Sequence, residues 1–309
     1  MSEFENLEIL GVGRRRGGRF GKVLIAGAGK IEGDVECDEL SIPGSGKIEE
    51  GCVLVHGPLS CYGSGSVEGT VQADKLAVFG AFCADGGCLV NGDAEVAGRL
   101  EIEGPCEIRG KVGVSGSMSV EGPCTLGPQT QINGTMTGEG DIRAGSLRVA
   151  GSLTAEAALR AENIEIDGRL SAESGVQAET FRARGKVEID GELNADLVEL
   201  ELTGSDEIES IVGGSVKVKK ADSAVSRGGL SFNFFFDFGK NCKSYFSKGT
   251  PRLHAELIEA DEIELEYTDC ETVRGVNVHI GPECVIDRVE FSGALTTAAD
   301  AVIGEKVKI

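Results

Sequence analysis

The sequence predicts an all-β fold, a parallel β-helix built from turns of 17–18 residues, and three observations carry that prediction. Glycine occupies 80, 86, 92, 98, 104, 110, 116, 122 and 134, and Pro128 is the single break in this six-residue spacing. Between Val78 and Met136 the even positions are apolar or Gly, apart from Pro128 and Thr130. From Asn91 to Thr135 the odd positions are nearly all polar, Gly or Pro, with Ala97 the lone apolar residue. Small residues also recur one turn apart: Cys88, Cys106 and Cys124, and Pro105 and Pro123 within the near copies EGPCEI and EGPCTL. Alternation at period two is a strand with one buried face, since successive side chains point to opposite faces. Glycine at every sixth residue marks corners, where unusual dihedrals and a lack of room for Cβ are expected. Three six-residue sides make an 18-residue turn. Such a turn cannot bury its own apolar face, so it must stack on its neighbours as a solenoid.

Taken in chain order, residues 1–22 read as a flexible basic lead-in containing RRRGGRFGK. Residues 23–220 read as the β-helix domain. Gly33 to Gly44 and Gly69 to Gly80 share an 11-residue spacing, two hexads less one, so one corner is tighter there. Gly134, Gly151, Gly168 and Gly185 shorten the turn to 17 residues. Between Val23 and Val218 there is room for about eleven turns, a rod of roughly 50 Å at strand spacing. The hexad cysteines are expected to form an inward ladder of reduced thiols, because stacked small side chains account for them better than a metal site does. Residues 221–252 read as a basic aromatic insertion, and 253–309 as a shorter C-terminal β-solenoid segment.

Composition excludes several function classes. The chain has no Trp, three Tyr and 46 Gly among its 309 residues, which rules out a core of large aromatics. A formal charge of −21 argues against nucleic acid as a partner, since phosphate contacts need clustered Lys and Arg over a broad face. No apolar run approaches a membrane span, and the start MSEFENLE lacks the basic and apolar regions of a secretory signal, so a cytoplasmic location is expected.

Tandem turns of the form apolar-x-Gly-x-apolar, with GKIEGDV at 29–35 and IDGRL at 166–170, resemble those of the bactofilins, polymer-forming cytoskeletal proteins of bacteria. The likeness covers about 23–220 and resumes at 253–309, where IEADEIELEY and VRGVNVHIGPECVIDRVEF resemble the tail of longer, two-part members. The resemblance implies a right-handed, triangular β-helix that polymerises end to end without nucleotide. Hexapeptide acyltransferases share the period, and Ile280–Ile286 fits their side pattern once. They need a general base, usually His, beside a substrate pocket. His56 and His254 flank turns with no partner motif, and His279 points outward between Val278 and Ile280. GAGKIEG at 27–33 lacks the spacing of a phosphate-binding loop.

The insertion differs in kind. From 217 to 252 eight basic residues face Asp222 and Asp237, while 253–309 has four basic against thirteen acidic residues. Six of the twelve phenylalanines fall in 230–246: Phe232, Phe234, Phe235, Phe236, Phe238 and Phe246. Two roles stay open. The loop caps the end of the rod, or its aromatics with Lys240 and Lys243 meet an anionic membrane surface. The expectation is a non-enzymatic scaffold whose partner is itself. No catalytic, cofactor-binding or metal-binding residue, no cofactor and no small-molecule substrate are expected. A monomeric binding or adaptor module and a hexapeptide acyltransferase are the alternatives.

Overall fold

The computed structural model describes residues 4–221 and 250–309. Among these residues every regular element is a strand, and all strand pairs are parallel, stacked into a β-solenoid of about 16 turns. At strand spacing this is a rod of roughly 75 Å.

One central turn shows the construction. Strands Ala94–Val96, Arg99–Ile102 and Cys106–Ile108 form its three sides. Each pairs in register with the strand 18 residues earlier and 18 later, as in Phe82↔Leu100↔Met118 and Cys88↔Cys106↔Cys124. From Thr135 to Lys186 the offset falls to 17. The even residues of this stretch point inward as expected: Val114, Met118, Val120, Cys124 and Ile132 are all buried. The core is therefore a set of vertical columns in which like sits on like, and Leu7, Val23, Leu40, Leu59 and Leu76 make one of them.

Pro128 and Thr130, the two exceptions in the even register, sit beside one corner. Thr130 is buried between Val112 and Leu147, and its hydroxyl has no hydrogen-bond partner.

Of the two reasons expected for glycine at the corners, the lack of room for Cβ holds and the unusual dihedrals do not. None of the hexad glycines between Gly80 and Gly134 has a left-handed backbone; Gly33 and Gly87, the latter beside Gly86, do, at φ 92° and 109°. What the hexad positions require is close approach between turns. A Cβ on Gly104 would lie 2.7 Å from the carbonyl carbon of Gly86, one turn below. At another corner a Cβ on Gly116 would land on the carbonyl oxygen of Gly98. That corner holds an unbroken column of glycines from Gly11 through Gly98 and Gly116 to Gly185.

The expected flexible lead-in is corrected. Leu7–Ile9 and Val12–Ile25 are strands, and Val12 pairs with Ala28 along a ladder that reaches Leu24. Arg14, Arg19 and Lys22 pair with Glu32, Glu36 and Glu39 of the next turn, so the basic run finds its counter-charges there. The tail joins the same stack. Strand Ser205–Lys220 pairs directly with Arg252–Leu265, so the turn that opens the tail stacks on the last turn before residue 221. Phe20 and Phe291, near opposite ends, share one inward column whose members from Ala144 to Gly275 are alanine or glycine.

Candidate functional site

The aromatic and basic candidates Phe232, Phe234, Phe235, Phe236, Phe238, Lys240 and Lys243 lie outside the described residues. The remaining candidates are the ends of the rod, its outer surface, its histidines and its thiols.

At the N-terminal end, strand Leu7–Ile9 pairs with Val12–Ile25 and with nothing on its other side among the described residues. At the other end, Leu295–Thr297 and Val302–Lys308 likewise have one partner each, Thr268–Ile280 and Val285–Phe291. Among the described residues, both ends thus present unpaired backbone donors and acceptors, which template further pairing. The end turns also carry charge at inward register positions: Arg15 pairs with Ile31, and Lys306 and Lys308 pair with Val289 and Phe291. Inward-pointing charge is a common device for blunting an edge.

Each histidine is exposed, as expected for His279, but two have partners that the sequence did not disclose. His56 Nε2 lies 3.2 Å from Glu36 Oε1, and His254 Nδ1 lies 3.5 Å from Asp269 Oδ2. Both pairs join residues on different turns, so no local motif announces them. His254 lines an open groove of about 500 Å³ together with Asp190, Glu207, Glu209 and Glu271. The groove's thiol, Cys270, is buried and bonds to the carbonyls of Thr272 and Glu256, and burial pushes its pKa up to about 12. A protonated thiol under a ring of carboxylates is a poor nucleophile, and the ring repels an anionic donor.

The acidic groove is the last part of a longer feature. On fourteen consecutive turns, from Glu32 to Asp287, a carboxylate occupies the corner that follows the second side of the turn, the side formed by Arg99–Ile102 in the central turn. The first three are paired: Glu32 with Arg14, and Glu49 and Glu68 with Lys47 at 3.1 and 3.0 Å. From Asp85 onward none of these corner carboxylates has a cationic partner among the described residues, whereas flat faces carry cross-turn pairs such as Arg148–Glu165 at 3.2 Å and Arg182–Glu199 at 2.6 Å. The signal was readable as Glu-Gly at 103–104, 121–122 and 139–140. Its chemistry is a line of negative potential that opposes lateral approach at this edge. Cys83 Sγ, Asp85 and Glu103 converge within 4.8 Å on it. The Cys83 thiol donates to Asp85 at 3.4 Å and is pushed up to about 11 by burial and that carboxylate, so this exposed group carries no metal assignment.

The predicted thiol ladder is present. Cys88, Cys106 and Cys124 stack in register and are buried. Burial raises Cys88 to about 12, and the Cys124 side chain together with burial holds Cys106 well above its ordinary value. One buried carboxylate also points inward. Asp206, 2% exposed, sits in a column between Val187 and Leu253, and its Oδ1 accepts the Val187 amide at 3.0 Å. It falls where the corner at Gly204 leaves the glycine column, since a Cβ there would meet nothing within 4 Å. Burial pushes its pKa up from 3.8 to about 7, against the pull of the Val187 amide and Lys186.

No family profile matches the chain, and no solved structure does either. Two curated proteins of Bacillus subtilis (strain 168) are similar in part. The chain is 49% identical over 59 residues to "Uncharacterized protein YhbE", covering 19% of this chain and 25% of that protein. It is 37% identical over 70 residues to "Uncharacterized protein YhbF", covering 23% of this chain and 30% of that protein. The chain therefore spans less than a third of the length of the relatives it matches. No helix among the described residues is long and apolar enough to cross a membrane.

Proposed function

We propose that this protein is a non-enzymatic structural rod that self-assembles end to end, without nucleotide, in the manner of the bactofilins it resembles. The observation that carries the reading is the pair of bare ladder edges, Leu7–Ile9 at one end and Leu295–Thr297 with Val302–Lys308 at the other. Stacking a second copy on such an edge extends the backbone pairing and the apolar columns together. The groove at His254 supports the non-enzymatic part of the reading, because it offers a histidine with a carboxylate but no activated nucleophile. Light scattering of nucleotide-free protein tests the assembly. Scattering should rise with protein concentration, be indifferent to ATP and GTP, and persist at about twice physiological salt, where surface charge is screened within less than ~8 Å. Leu295→Asp, on the last rung of one side, should abolish it while leaving the melting temperature nearly unchanged. Scattering that needs nucleotide would overturn the mechanism.

A second reading has its own observation. Arg15, Lys306 and Lys308 at inward positions of the end turns favour a capped, monomeric binding or adaptor module. Replacing all three with Val separates the readings: a parent that stays monomeric while the variant polymerises identifies the charges as caps.

A further inference from the structure

We propose that two copies of this chain pair side by side and antiparallel along an apolar corner formed by the first six turns. The residues just before the corner glycines on these turns are Leu10, Ala26, Pro43, Tyr62, Phe79 and Ala97, stacked by the register Ile9↔Ile25, Ile42↔Cys61↔Val78↔Val96. All six are exposed; Leu10 is 69%, Tyr62 57% and Phe79 44% accessible, and Val12 beyond Gly11 is 94% accessible. The residues after the glycines are Val12, Ala28, Ser45, Ser64 and Ala81, so the strip holds no charge until Arg99. From Ser115 the same column is no longer continuously apolar: it reads Ser115, Asn133, Ala150, Asp167 and Arg184. A contiguous exposed apolar strip on a soluble surface marks an interaction site.

The partner is identified by size and charge. A two-fold axis between Pro43 and Tyr62 sets Leu10 opposite Ala97, Ala26 opposite Phe79, and Pro43 opposite Tyr62. Two of these pairs set a large side chain against alanine, and the third seats the compact Pro43 ring against Tyr62. A two-fold interface uses one patch twice, so this internal complementarity is what self-pairing requires. Both copies share one turn spacing of about 4.8 Å, so the match holds over all six turns. Tyr62 and Phe79 are already stacked on each other, centroids 5.0 Å apart and 4° from parallel, so they enter as a rigid pair. With a charge of −21 and a corner of unpaired carboxylates elsewhere, two rods repel along most other lines of approach. A strip about 25 Å long and one corner wide buries less than the roughly 1,000 Å² of a stable complex. The pairing is therefore weak in isolated rods.

Analytical ultracentrifugation of the full chain, in the parent and in the Leu295→Asp background, tests this. A monomer–dimer equilibrium should appear at hundreds of micromolar protein and strengthen from about 0.05 to 0.5 M salt as repulsion is screened. Tyr62→Glu with Phe79→Glu should weaken it at least tenfold without shifting the thermal melt. Mild oxidation of the double variant Ala26→Cys with Phe79→Cys should give covalent dimers above the parent's background, because the two thiols meet across the axis. Ala26→Cys alone should not, since those two residues sit about three turns apart across the axis. A chain that stays monomeric in Leu295→Asp at the highest concentration and salt overturns the proposal. So does a dimer indifferent to the two glutamates, or one that Ala26→Cys alone crosslinks. Because the dimer stops at two copies and tolerates Leu295→Asp, its failure is distinct from failure of end-to-end stacking.

Discussion

Replacing Gly104 with Ala isolates what the corners demand. The new Cβ would stand 2.7 Å from the Gly86 carbonyl carbon and 2.8 Å from its oxygen. Ordinary contact begins near 3.4 Å, so the two turns must part by about 0.7 Å. That strains the bond from the Glu103 amide to the Ala84 carbonyl, now 3.0 Å, and loosens the stack around buried Ile102 and Cys106. A weakened backbone bond costs about 1 kcal/mol, and local loss of packing roughly doubles or triples the total. The matched control is Gly113→Ala, mid-strand, where a Cβ meets nothing within 4 Å. There the substitution only restricts the unfolded chain and should stabilise by up to about 1 kcal/mol. Urea unfolding, with hydrogen exchange to localise the effect, should therefore separate the two variants by roughly 3 kcal/mol. Equal midpoints would refute the close-approach explanation of the glycine columns.

Other outcomes follow from the buried polar and thiol groups. Thr130→Val removes a hydroxyl that is buried without a partner and should raise stability by roughly 1–2 kcal/mol; an unchanged or lowered midpoint contradicts the buried assignment. Asp206 has a folded pKa raised to about 7, so its contribution is fully present below its unfolded value near 4 and is lost as pH rises through 7. Relative to Asp206→Asn, the parent should lose roughly 4 kcal/mol between pH 4 and pH 8, and parallel pH profiles would contradict this. Among the described cysteines, exposed Cys52 should react with a thiol reagent in the native protein, half-buried Cys83 more slowly because burial and Asp85 hold its thiol protonated, and Cys88, Cys106 and Cys124 only on unfolding; rapid labelling of the ladder would show that the column is open.

The fold was legible because a stacked repeat writes its geometry at short range. Two periods, two and six, place Val114 inward and Gly116 at a corner before any long-range contact is known. The 18-residue recurrence of Cys88, Cys106 and Cys124 then gives the stacking register. What stayed hidden depends on relations between turns that have no fixed spacing. The strand Val12–Ile25 looked like a basic lead-in because Arg14, Arg19 and Lys22 meet their carboxylates only after the next turn is laid on top. The partners of His56 and His254 are cross-turn for the same reason. The apolar strip, and the acidic corner where it precedes a glycine as at Glu103 and Glu121, were readable as the residue before the glycine, yet only stacking turns a scattered Glu103 and Glu121, or Tyr62 and Phe79, into continuous surfaces. Asp206 could not be placed inside from sequence, since a charged residue in a strand is ordinarily assigned to the solvated face.

Self-assembly from bare ends is tested most directly by imaging the purified, nucleotide-free protein in negative stain. The account predicts thin filaments whose subunits repeat every 75–80 Å or so, the length of about 16 turns at strand spacing. Isolated rods of that same length at every protein concentration would contradict it.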